Sequence, residues 1–344
     1  MKITNDKLDF SYNKPPKIIA EISGNHNGNK SRFFKLIKKA CESNADLIKI
    51  QTYEPKDITV LKKNKLYKIK QGIWKGKYFS DLYKKACTPF KWHADAFKIA
   101  KKYKKIIFSS PFSIRAVDLL EKYNVPIYKI ASFEITDHNL IKYIASKNKP
   151  IIISTGMASL SEIKDAIKII EKYHKKIIIL HCVSNYPTEL KDTNLKKINF
   201  LKKKFKKYLI GLSDHTDNIF SSIASIPLGV VVIEKHFNLD NKKTPDSKFS
   251  IGPKMMKDLK KISLEVFESI YKTRREKVLM KNIKFRRSIF AKTNIKKHEK
   301  ISQKNISVLR PKIGICASQY FKILGKKSKK NFKIDEPIFK NQLL

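Results

Sequence analysis

The sequence of 344 residues predicts an α/β fold, namely a closed (β/α)8 barrel of the TIM type followed by a small β-rich domain. Three observations support this prediction. Eight apolar, β-branched runs follow one another, helix-like segments separate most of them, and nearly all of the runs end in polar or ionisable residues. Because the active site of such a barrel lies at the carboxyl ends of its strands, these polar run-ends predict where the chemistry takes place.

The apolar, β-branched runs are the predicted strands. In chain order they occupy 17–28, 45–53, 105–112, 127–134, 150–156, 177–187, 208–216 and 230–237. The helices expected between and after them cover 30–44, 91–104, 114–124, 137–148, 160–174, 193–206, 218–228 and 254–271. Residues 1–16 are interpreted as a polar lead-in.

One connection in the predicted barrel is unusually long. Residues 54–90 follow the second strand, and a βα loop of that length is usually functional. We expect it to lie over the active-site face, with Trp74 and Tyr78 near its middle. The alternative is a surface excursion packed on its own aromatic residues, which are Tyr67, Trp74, Tyr78, Phe79, Tyr83 and Phe90.

The barrel domain is predicted to cover 1–271. Residues 272–284 are charged and predict a linker. Residues 285–344 combine short strands, turn signals and one Arg-Pro step, which indicates a small β-rich domain.

Composition limits the class of protein. No apolar run is long enough for a membrane span, and the first residues lack the apolar core of a signal peptide, so we expect a cytoplasmic protein without a membrane partner. The four cysteines are scattered without CxxC pairs, so we expect reduced, mostly buried thiols and neither disulfides nor a zinc site.

The net charge of +45 raises the alternative of a nucleic-acid-binding protein. The 75 basic residues include only seven arginines, which leaves 68 lysines spread over seven of the eight predicted helices and the segments between them. Nucleic-acid surfaces rely heavily on arginine for bidentate contacts, so we expect no nucleic-acid partner. A positive surface would still attract anionic substrates over about 10 Å at cell-like salt.

Two histidines, His215 and His236, end successive strands. Side chains at adjacent strand ends of a barrel meet at its mouth, and two imidazoles there can bind a divalent metal with positions left for water and substrate. Two hydrogen-bonded histidines without a metal are the alternative.

Two lysines, Lys49 and Lys129, also end apolar strands. A buried lysine in a barrel serves either as a Schiff base or as an electrostatic clamp on a phosphate or carboxylate. The hydroxyls expected around them favour the clamp, because hydroxyls are good phosphate ligands. These hydroxyls belong to Ser110, Ser132, Ser154 and Ser213.

Carboxylates complete the predicted site. Glu21 and Glu134 end strands that face the same cavity, where one would hold sugar hydroxyls and the other would move a proton or position water. Each carboxylate is equally compatible with a plain ion pair to a nearby lysine. Asp246 follows the eighth strand and is a weaker candidate for a metal-bound water or a sugar hydroxyl.

The motifs at these positions resemble the sialic acid (nonulosonic acid) synthase family almost from end to end. The matching segments are IIAEISGNHNG, ADLIKIQTY, FSSPFS, YKIASFE, IISTGMAS, VSNYPT, GLSDHT, VIEKHF with PDSKFS, and VLRPKIGI. The C-terminal segment resembles the antifreeze-like (SAF) domain of these synthases. A second set, QGIW, LYKKACTPFKW and PDSKFS, is most similar to the pseudaminic acid branch of the family.

The resemblance implies a mechanism. In that family a divalent cation, manganese or else magnesium or cobalt, is held by the histidines matched by His215 and His236 and polarises the aldehyde of an open-chain amino sugar. Carbon 3 of phosphoenolpyruvate attacks this aldehyde, water adds to carbon 2, and phosphate leaves through C–O cleavage. The matched phosphoenolpyruvate contacts are Lys49, Lys129, Ser110, Ser132, Ser154 and Ser213. The matched sugar-side or metal-side positions are Glu21, Gln51, Tyr186 and Asp246.

The resemblance assigns two further residues. Glu134 matches a residue that handles protons or the attacking water. Arg310 matches an arginine that the SAF domain presents to the active site of a partner subunit, which implies a domain-swapped homodimer. The order of residues in SNYP departs from some members, so either Ser184 or Asn185 is expected to reach the substrate.

The expected product is therefore a nine-carbon nonulosonic acid, made from phosphoenolpyruvate and a 2,4-diacetamido-2,4,6-trideoxyhexose of the altrose series. The same chemistry on N-acetylmannosamine or on the legionaminic acid precursor is the nearest alternative. A Schiff-base aldolase using Lys49 or Lys129 is an alternative from another enzyme class.

Overall fold

The computed structural model describes residues 2–4, 8–272 and 281–344, and the predicted barrel is confirmed. Two short strands come first, β1 (Lys2–Thr4) and β2 (Asp9–Ser11). The barrel strands follow as β3 (Lys17–Glu21), β4 (Leu47–Thr52), β5 (Ile106–Pro111), β6 (Tyr128–Ile130), β7 (Ile151–Ser154), β8 (Ile177–Cys182), β9 (Leu209–Asp214) and β10 (Val232–His236). Each lies within a predicted run. β10 pairs with β3 in parallel and closes the barrel.

Helices cover the outside of the barrel. In chain order they are α1 (Lys30–Glu42), α2 (Pro55–Ile58), α3 (Phe79–Ala86), α4 (His93–Lys102), α5 (Ile114–Lys122), α6 (His138–Ala145), α7 (Leu160–Glu171), α8 (Lys196–Lys204), α9 (Phe220–Ser225) and α10 (Pro253–Tyr271). Because both faces of each strand are covered, the strands are buried along almost their whole length.

Local sequence explains where these helices begin. The Asn29 side chain accepts a hydrogen bond from the backbone N–H of Arg32 and caps α1. Ser159 and Glu162 form a reciprocal capping box at the start of α7. In α1 the buried residues recur at helical spacing, so one face packs on the strands. That buried face consists of Phe33, Leu36, Ile37, Ala40 and Cys41.

The N-terminal end of the barrel is closed by a feature that the sequence did not predict. β1 and β2 pair as an antiparallel hairpin within the segment interpreted as a polar lead-in. Phe10 is 1% exposed and packs with apolar residues from the lower halves of the strands, including Ile19 and Phe108. The barrel interior is thus apolar at this end, and polar side chains are concentrated at the opposite end.

The C-terminal segment forms a separate compact unit, and the chain divides between Lys272 and Thr273. Strands β11 (Ser288–Ala291) and β12 (Ile306–Leu309) pair in antiparallel fashion, and a short helix, α11 (Tyr320–Ile323), follows. Its own core includes Ile289, Ile306 and Phe332. Most of the predicted linker, 272–284, lies outside the described residues.

Among the described residues, no helix combines the length and the apolar character needed to cross a membrane.

Candidate active site

The polar residues predicted at the strand ends meet at the carboxyl end of the barrel. Strand register explains this meeting, because Glu21 lies opposite both His236 on β10 and Lys49 on β4. Gln51 lies opposite Ser110 on β5 in the same way. Side chains two residues apart on a strand point to the same face, so each strand contributes more than one group to the barrel mouth.

Four charged side chains form a buried network there. Lys49 Nζ lies 2.5 Å from a carboxylate oxygen of Glu21 and 3.8 Å from one of Glu234. Lys129 Nζ contacts both carboxylate oxygens of Glu234, at 2.9 and 3.0 Å. All four side chains are at most 4% exposed. Two ammonium groups therefore face two carboxylates, which offset the cost of burying the charges.

Glu234 is the main site residue that the sequence reasoning missed. Burial alone would raise its pKa, but Lys129 and Lys49 outweigh burial and lower the pKa to about 2. Ser213, its register partner on β9, also donates a hydrogen bond to it at 3.1 Å. The signal was present in the sequence, since Glu234 precedes His236 by two residues and shares its face of the strand.

Hydroxyl groups predicted for an anion clamp lie at the carboxyl ends of the barrel strands, and one of them contacts a lysine. Lys49 donates to Ser110 Oγ at 3.3 Å. Ser132 Oγ accepts a hydrogen bond from the backbone N–H of Gly156 at 3.0 Å. The Oγ atoms of Ser154 and Ser184 are buried and have no hydrogen-bond partner in the described part of the chain. Because buried polar atoms are almost always paired, these hydroxyls are available to a ligand.

Two details define this hydroxyl cluster further. A Cβ atom on Gly156 would lie 1.9 Å from Ser184 Oγ, so only glycine allows this close approach. Asn185 is exposed, whereas Ser184 Oγ is buried. The structure therefore directs Ser184, and not Asn185, toward the site.

A second set of side chains lies between the first and last βα loops. Gln51 donates to Glu21 at 3.1 Å and to Ser23 Oγ at 3.0 Å. Asp246 accepts hydrogen bonds from Ser23 Oγ at 2.5 Å and from the Gly24 backbone N–H at 2.9 Å. Asp246 is thus held in place by the loop after β3, although it follows β10 in the chain. Its position beside Gln51 and Glu21 suits the recognition of several hydroxyl or amide groups.

The two histidines meet as predicted, with ring centroids 5.3 Å apart. His215 Nδ1 lies 2.9 Å from the Val183 carbonyl oxygen, which fixes Nδ1 as the donor and leaves a lone pair on Nε2. His236 Nδ1 is buried without a hydrogen-bond partner among the described residues. Burial, together with His215 and nearby lysines, lowers the pKa of His236 well below its usual value. The lowered pKa keeps His236 in the neutral form that binds metals, whereas burial lowers and the nearby Cys182 thiol and Val183 carbonyl raise the pKa of His215, with a net rise.

No group of three or more His, Cys, Asp or Glu side chains in the described ranges is arranged to hold a metal ion. The histidine pair is accordingly a two-ligand arrangement, and water or substrate oxygens would have to supply the other ligands.

An aromatic roof, formed by Trp74, Tyr186 and Phe249, covers the histidine pair. The Tyr186 ring centroid lies 4.4 Å from that of His215, and the Phe249 centroid lies 4.7 Å from that of His236. Trp74 packs on Tyr186 at 5.7 Å and donates its indole N–H to the Pro245 carbonyl oxygen at 2.9 Å. The long insert, 54–90, therefore reaches over the site.

Glu134 lies in the turn after β6, and one of its carboxylate oxygens is buried without a hydrogen-bond partner among the described residues. Burial raises its pKa to about 7, and Asp137 adds to the rise, while Lys129 and Lys49 oppose it. A carboxyl with a pKa near 7 can both take up and release a proton at neutral pH, as general acid–base catalysis requires.

The raised pKa of Glu134 predicts how the stability of the folded protein depends on pH. Between pH 4.5 and about 7 the folded protein holds a proton on Glu134 that the unfolded chain has lost, so stability falls as pH rises through this window. We expect Glu134→Gln to be more stable than the parent by about 2–3 kcal/mol at pH 8 and by less than about 1 kcal/mol at pH 5. Urea unfolding at both pH values measures the difference. A stability gain that is equal at the two pH values would contradict this account of Glu134.

Arg310 follows β12 in the C-terminal unit, where it is exposed and precedes a cis Arg310–Pro311 bond. It belongs to the C-terminal unit and not to the barrel unit, and its role stays a prediction.

Comparisons with known proteins agree with this geometry. A family model described as NeuB family matches residues 36–275, and one described as SAF domain matches residues 286–344. The chain is 40% identical over 330 residues to a pseudaminic acid synthase of Helicobacter pylori, covering 94% of this chain and 97% of that protein. It is 39% identical over 335 residues to an N,N'-diacetyllegionaminic acid synthase of Campylobacter jejuni, covering 94% and 99%.

A solved structure is similar as well. It is the N-acetylneuraminic acid (sialic acid) synthetase of Leptospira borgpetersenii serovar Hardjo-bovis, in complex with citrate. The TM-score is 0.74 at 29% sequence identity, and the alignment covers 83% of this chain and 96% of that chain.

Proposed function

The chain belongs to the NeuB family and ends in a SAF domain, and on this premise we propose that it is a pseudaminic acid synthase. It would condense phosphoenolpyruvate with 2,4-diacetamido-2,4,6-trideoxy-altrose to give a nine-carbon nonulosonic acid and phosphate. One observation supports this reaction most strongly. A lysine and serine cluster suited to an anion and a pair of imidazoles suited to hold an aldehyde-activating cation occupy the same barrel mouth.

The anion side fits phosphoenolpyruvate. Lys49 and Lys129 provide positive charge. The hydroxyls of Ser154 and Ser184, which have no hydrogen-bond partner in the described part of the chain, provide further hydrogen bonds to phosphate oxygens. Because Glu21 and Glu234 already neutralise the lysines, an incoming anion shares these ammonium groups and does not meet a strongly positive pocket. Each ammonium group would therefore both bind the anion and fix its position.

The histidine side fits a divalent cation, since one imidazole has a buried nitrogen without a partner among the described residues and the other is oriented by a carbonyl. His215 and His236 would hold manganese, or else magnesium or cobalt. When bound, the cation would supply a Lewis acid for the sugar aldehyde.

The remaining steps belong to the protein's own groups. Carbon 3 of phosphoenolpyruvate forms a bond to the aldehyde carbon, water adds to carbon 2, and the C–O bond to phosphate breaks. Glu134 takes the proton from the attacking water, because its pKa of about 7 leaves it partly ionised at neutral pH. Gln51 and Asp246 orient the sugar's polar groups. We expect the reaction to take place in the cytoplasm.

A Schiff-base aldolase is less compatible with this site. A Schiff-base lysine reacts as a neutral amine, which desolvation or a neighbouring cation favours. Although burial opposes it, contact with Glu21 raises the pKa of Lys49 and favours its protonated form. Burial lowers the pKa of Lys129, but Glu234, 2.9 Å away, opposes this shift and occupies the ammonium group. Borohydride trapping with pyruvate should therefore leave the protein unmodified.

The aromatic roof supports the choice of sugar within the family. A 6-deoxy sugar presents a methyl group where mannosamine presents a hydroxyl, and an apolar roof covers the methyl but leaves the hydroxyl poorly paired. Of the two aromatic residues near the middle of the insert, Trp74 packs on Tyr186, and Tyr186 in turn packs on His215. Tyr78 instead contacts Lys63 and Lys68.

We predict that phosphate release is at least ~10-fold faster with the trideoxy-altrose than with N-acetylmannosamine, the scale of one methyl-sized discrimination. Trp74→Ala should reduce this preference, and Tyr78→Ala is the matched control that should retain it. Assays of phosphate release with these two sugars and the legionaminic acid precursor measure the result. Faster turnover of either alternative sugar would move the chain to that branch of the family.

Exposed apolar residues support the proposed domain-swapped homodimer. At the barrel mouth, Phe133 is 63% and Phe220 is 66% exposed. In the C-terminal unit, Leu309 and Ile313 are 44% and 53% exposed on either side of Arg310. We propose that the C-terminal unit of one subunit covers the barrel mouth of the other, which would bury such exposed apolar side chains. Arg310 would then hold acetamido or hydroxyl oxygens of the partner's sugar.

Complementation tests the shared site. Inactive Arg310→Ala mixed with inactive His236→Ala should regain activity after subunit exchange, because one site of each mixed dimer then carries neither lesion. The recovery should reach about half of one dimer's activity per heterodimer. Two Arg310→Ala preparations that differ only in a tag are the control and should stay inactive. Demonstrated exchange without recovery would contradict the proposal.

A further inference from the structure

An ion pair that the mechanism does not use lies directly behind the histidine pair. Lys235 on β10 and Asp214 on β9 are register partners, and Lys235 Nζ lies 3.2 Å from Asp214 Oδ2. Their side chains are 0% and 1% exposed. Glu234 points into the barrel mouth, so Lys235 points to the opposite face, toward the helix layer. There Ser222 of α9 donates to Asp214 at 2.5 Å.

The stability of the fold does not by itself account for this pair. Buried ion pairs are often no more stabilising than apolar side chains of similar volume, and the layer between strands and helices is otherwise largely apolar. Yet both members are well satisfied, because Lys235 also donates to the Thr216 carbonyl oxygen at 2.5 Å and to Thr216 Oγ1 at 3.0 Å. Asp214 accepts the Thr216 backbone N–H at 2.9 Å.

The pair is placed to control the two imidazoles. Asp214 immediately precedes His215, and Lys235 immediately precedes His236. The ion pair fixes the register of the two strands, and its bonds to Thr216 fix the backbone on the far side of His215. The relative position of the two rings therefore depends on contacts made on the opposite face of the same strands.

We propose that Lys235 and Asp214 are positioning residues that set the geometry of His215 and His236 for binding a divalent cation. This inference rests on the cation-binding part of the proposed function. Groups that orient metal ligands from behind typically change metal affinity by 10–100-fold when they are removed.

The test uses Mn²⁺ alone as the probe and the full-length protein freed of metal. The double variant Lys235→Met with Asp214→Asn removes both charges together and leaves no unpaired buried charge. We expect it to fold cooperatively, with a melting temperature near that of the parent, and to bind Mn²⁺ 10–100-fold more weakly. Electron paramagnetic resonance of free Mn²⁺ measures the affinity without any turnover. The His236→Ala variant gives the Mn²⁺ affinity expected when the site is lost.

Controls separate a positioning role from a structural one. Lys260 and Asp46 form a partly exposed ion pair at the other end of the barrel, at 2.7 and 2.8 Å, so Lys260→Met with Asp46→Asn should leave Mn²⁺ affinity unchanged. Asp214→Asn alone leaves an unpaired buried lysine and should lower the melting temperature. Adding Lys235→Met should restore the melting temperature but not the affinity for Mn²⁺.

The outcomes are distinguishable. A double variant that binds Mn²⁺ as tightly as the parent would overturn this inference and leave the proposed function intact. A parent protein that binds no Mn²⁺ would overturn the inference together with the cation-binding half of the proposed function. Sugar-dependent release of phosphate tests the condensation independently of both results.

Discussion

Replacing His236 by alanine is expected to lower kcat by on the order of 10³-fold or more, because Lewis-acid activation of an aldehyde contributes several kcal/mol. The same loss is expected for His215→Ala, since the two rings are 5.3 Å apart and act as one site. Exhaustive chelation of the parent should have the same effect, and Mn²⁺ should restore the activity of the parent but not of either variant. Steady-state assays of phosphate release measure the effect.

His181 provides the matched control for these variants. It lies on β8 and is equally buried, but its Nε2 lies 2.7 Å from the Thr193 carbonyl oxygen and it is not part of the pair. We expect His181→Gln to retain its metal-dependent activity, even if its stability changes. Full activity of metal-free His236→Ala would show that the histidines serve another purpose.

Replacing Lys49 by methionine is expected to raise the KM for phosphoenolpyruvate by about 10–150-fold, since a hydrogen bond to a charged group contributes about 1.5–3 kcal/mol. The KM for the sugar should change much less. The substitution also leaves Glu21 buried without its cation, and burial already raises the pKa of Glu21, so this carboxyl should then take up a proton instead of repelling the substrate.

Lys105→Met is the control for the loss of a lysine near a barrel strand. Lys105 Nζ donates to the Ala45 carbonyl oxygen at 2.7 Å, at the amino end of β5 and away from the site. Both KM values of this variant should match those of the parent. An equal rise of both KM values in Lys49→Met would mean that Lys49 supports the structure of the site and does not bind phosphoenolpyruvate.

The fold could be predicted from the sequence because each barrel strand is a short apolar run with a polar end. The same pattern located Glu21, Lys49 and His236, since a strand end fixes both the position and the face of a side chain. The hairpin of β1 and β2 was missed because three-residue strands are too short to show a two-residue period.

The pairing of charged and hydrogen-bonded side chains within the site could not be predicted in the same way. The sequence placed Lys129 at the barrel mouth, but the lysine's closest charged partner, Glu234, lies 105 residues later. Only the closure of the barrel brings β6 and β10 to face each other across its interior. The hydrogen bond from the Trp74 indole N–H to the Pro245 carbonyl oxygen could not be predicted either. It joins two long loops, and no local sequence pattern defines their course.

The central claim is that this barrel joins phosphoenolpyruvate to an amino sugar with C–O cleavage. The most direct test of this claim uses phosphoenolpyruvate labelled with ¹⁸O at the oxygen that bridges carbon 2 and phosphorus. The protein is incubated with this substrate, the trideoxy-altrose and Mn²⁺, and both products are analysed by mass spectrometry. We predict that the phosphate carries the ¹⁸O label and that the organic product is an unlabelled nine-carbon acid. Label retained in the organic product, or phosphate released at the same rate without the sugar, would contradict the account.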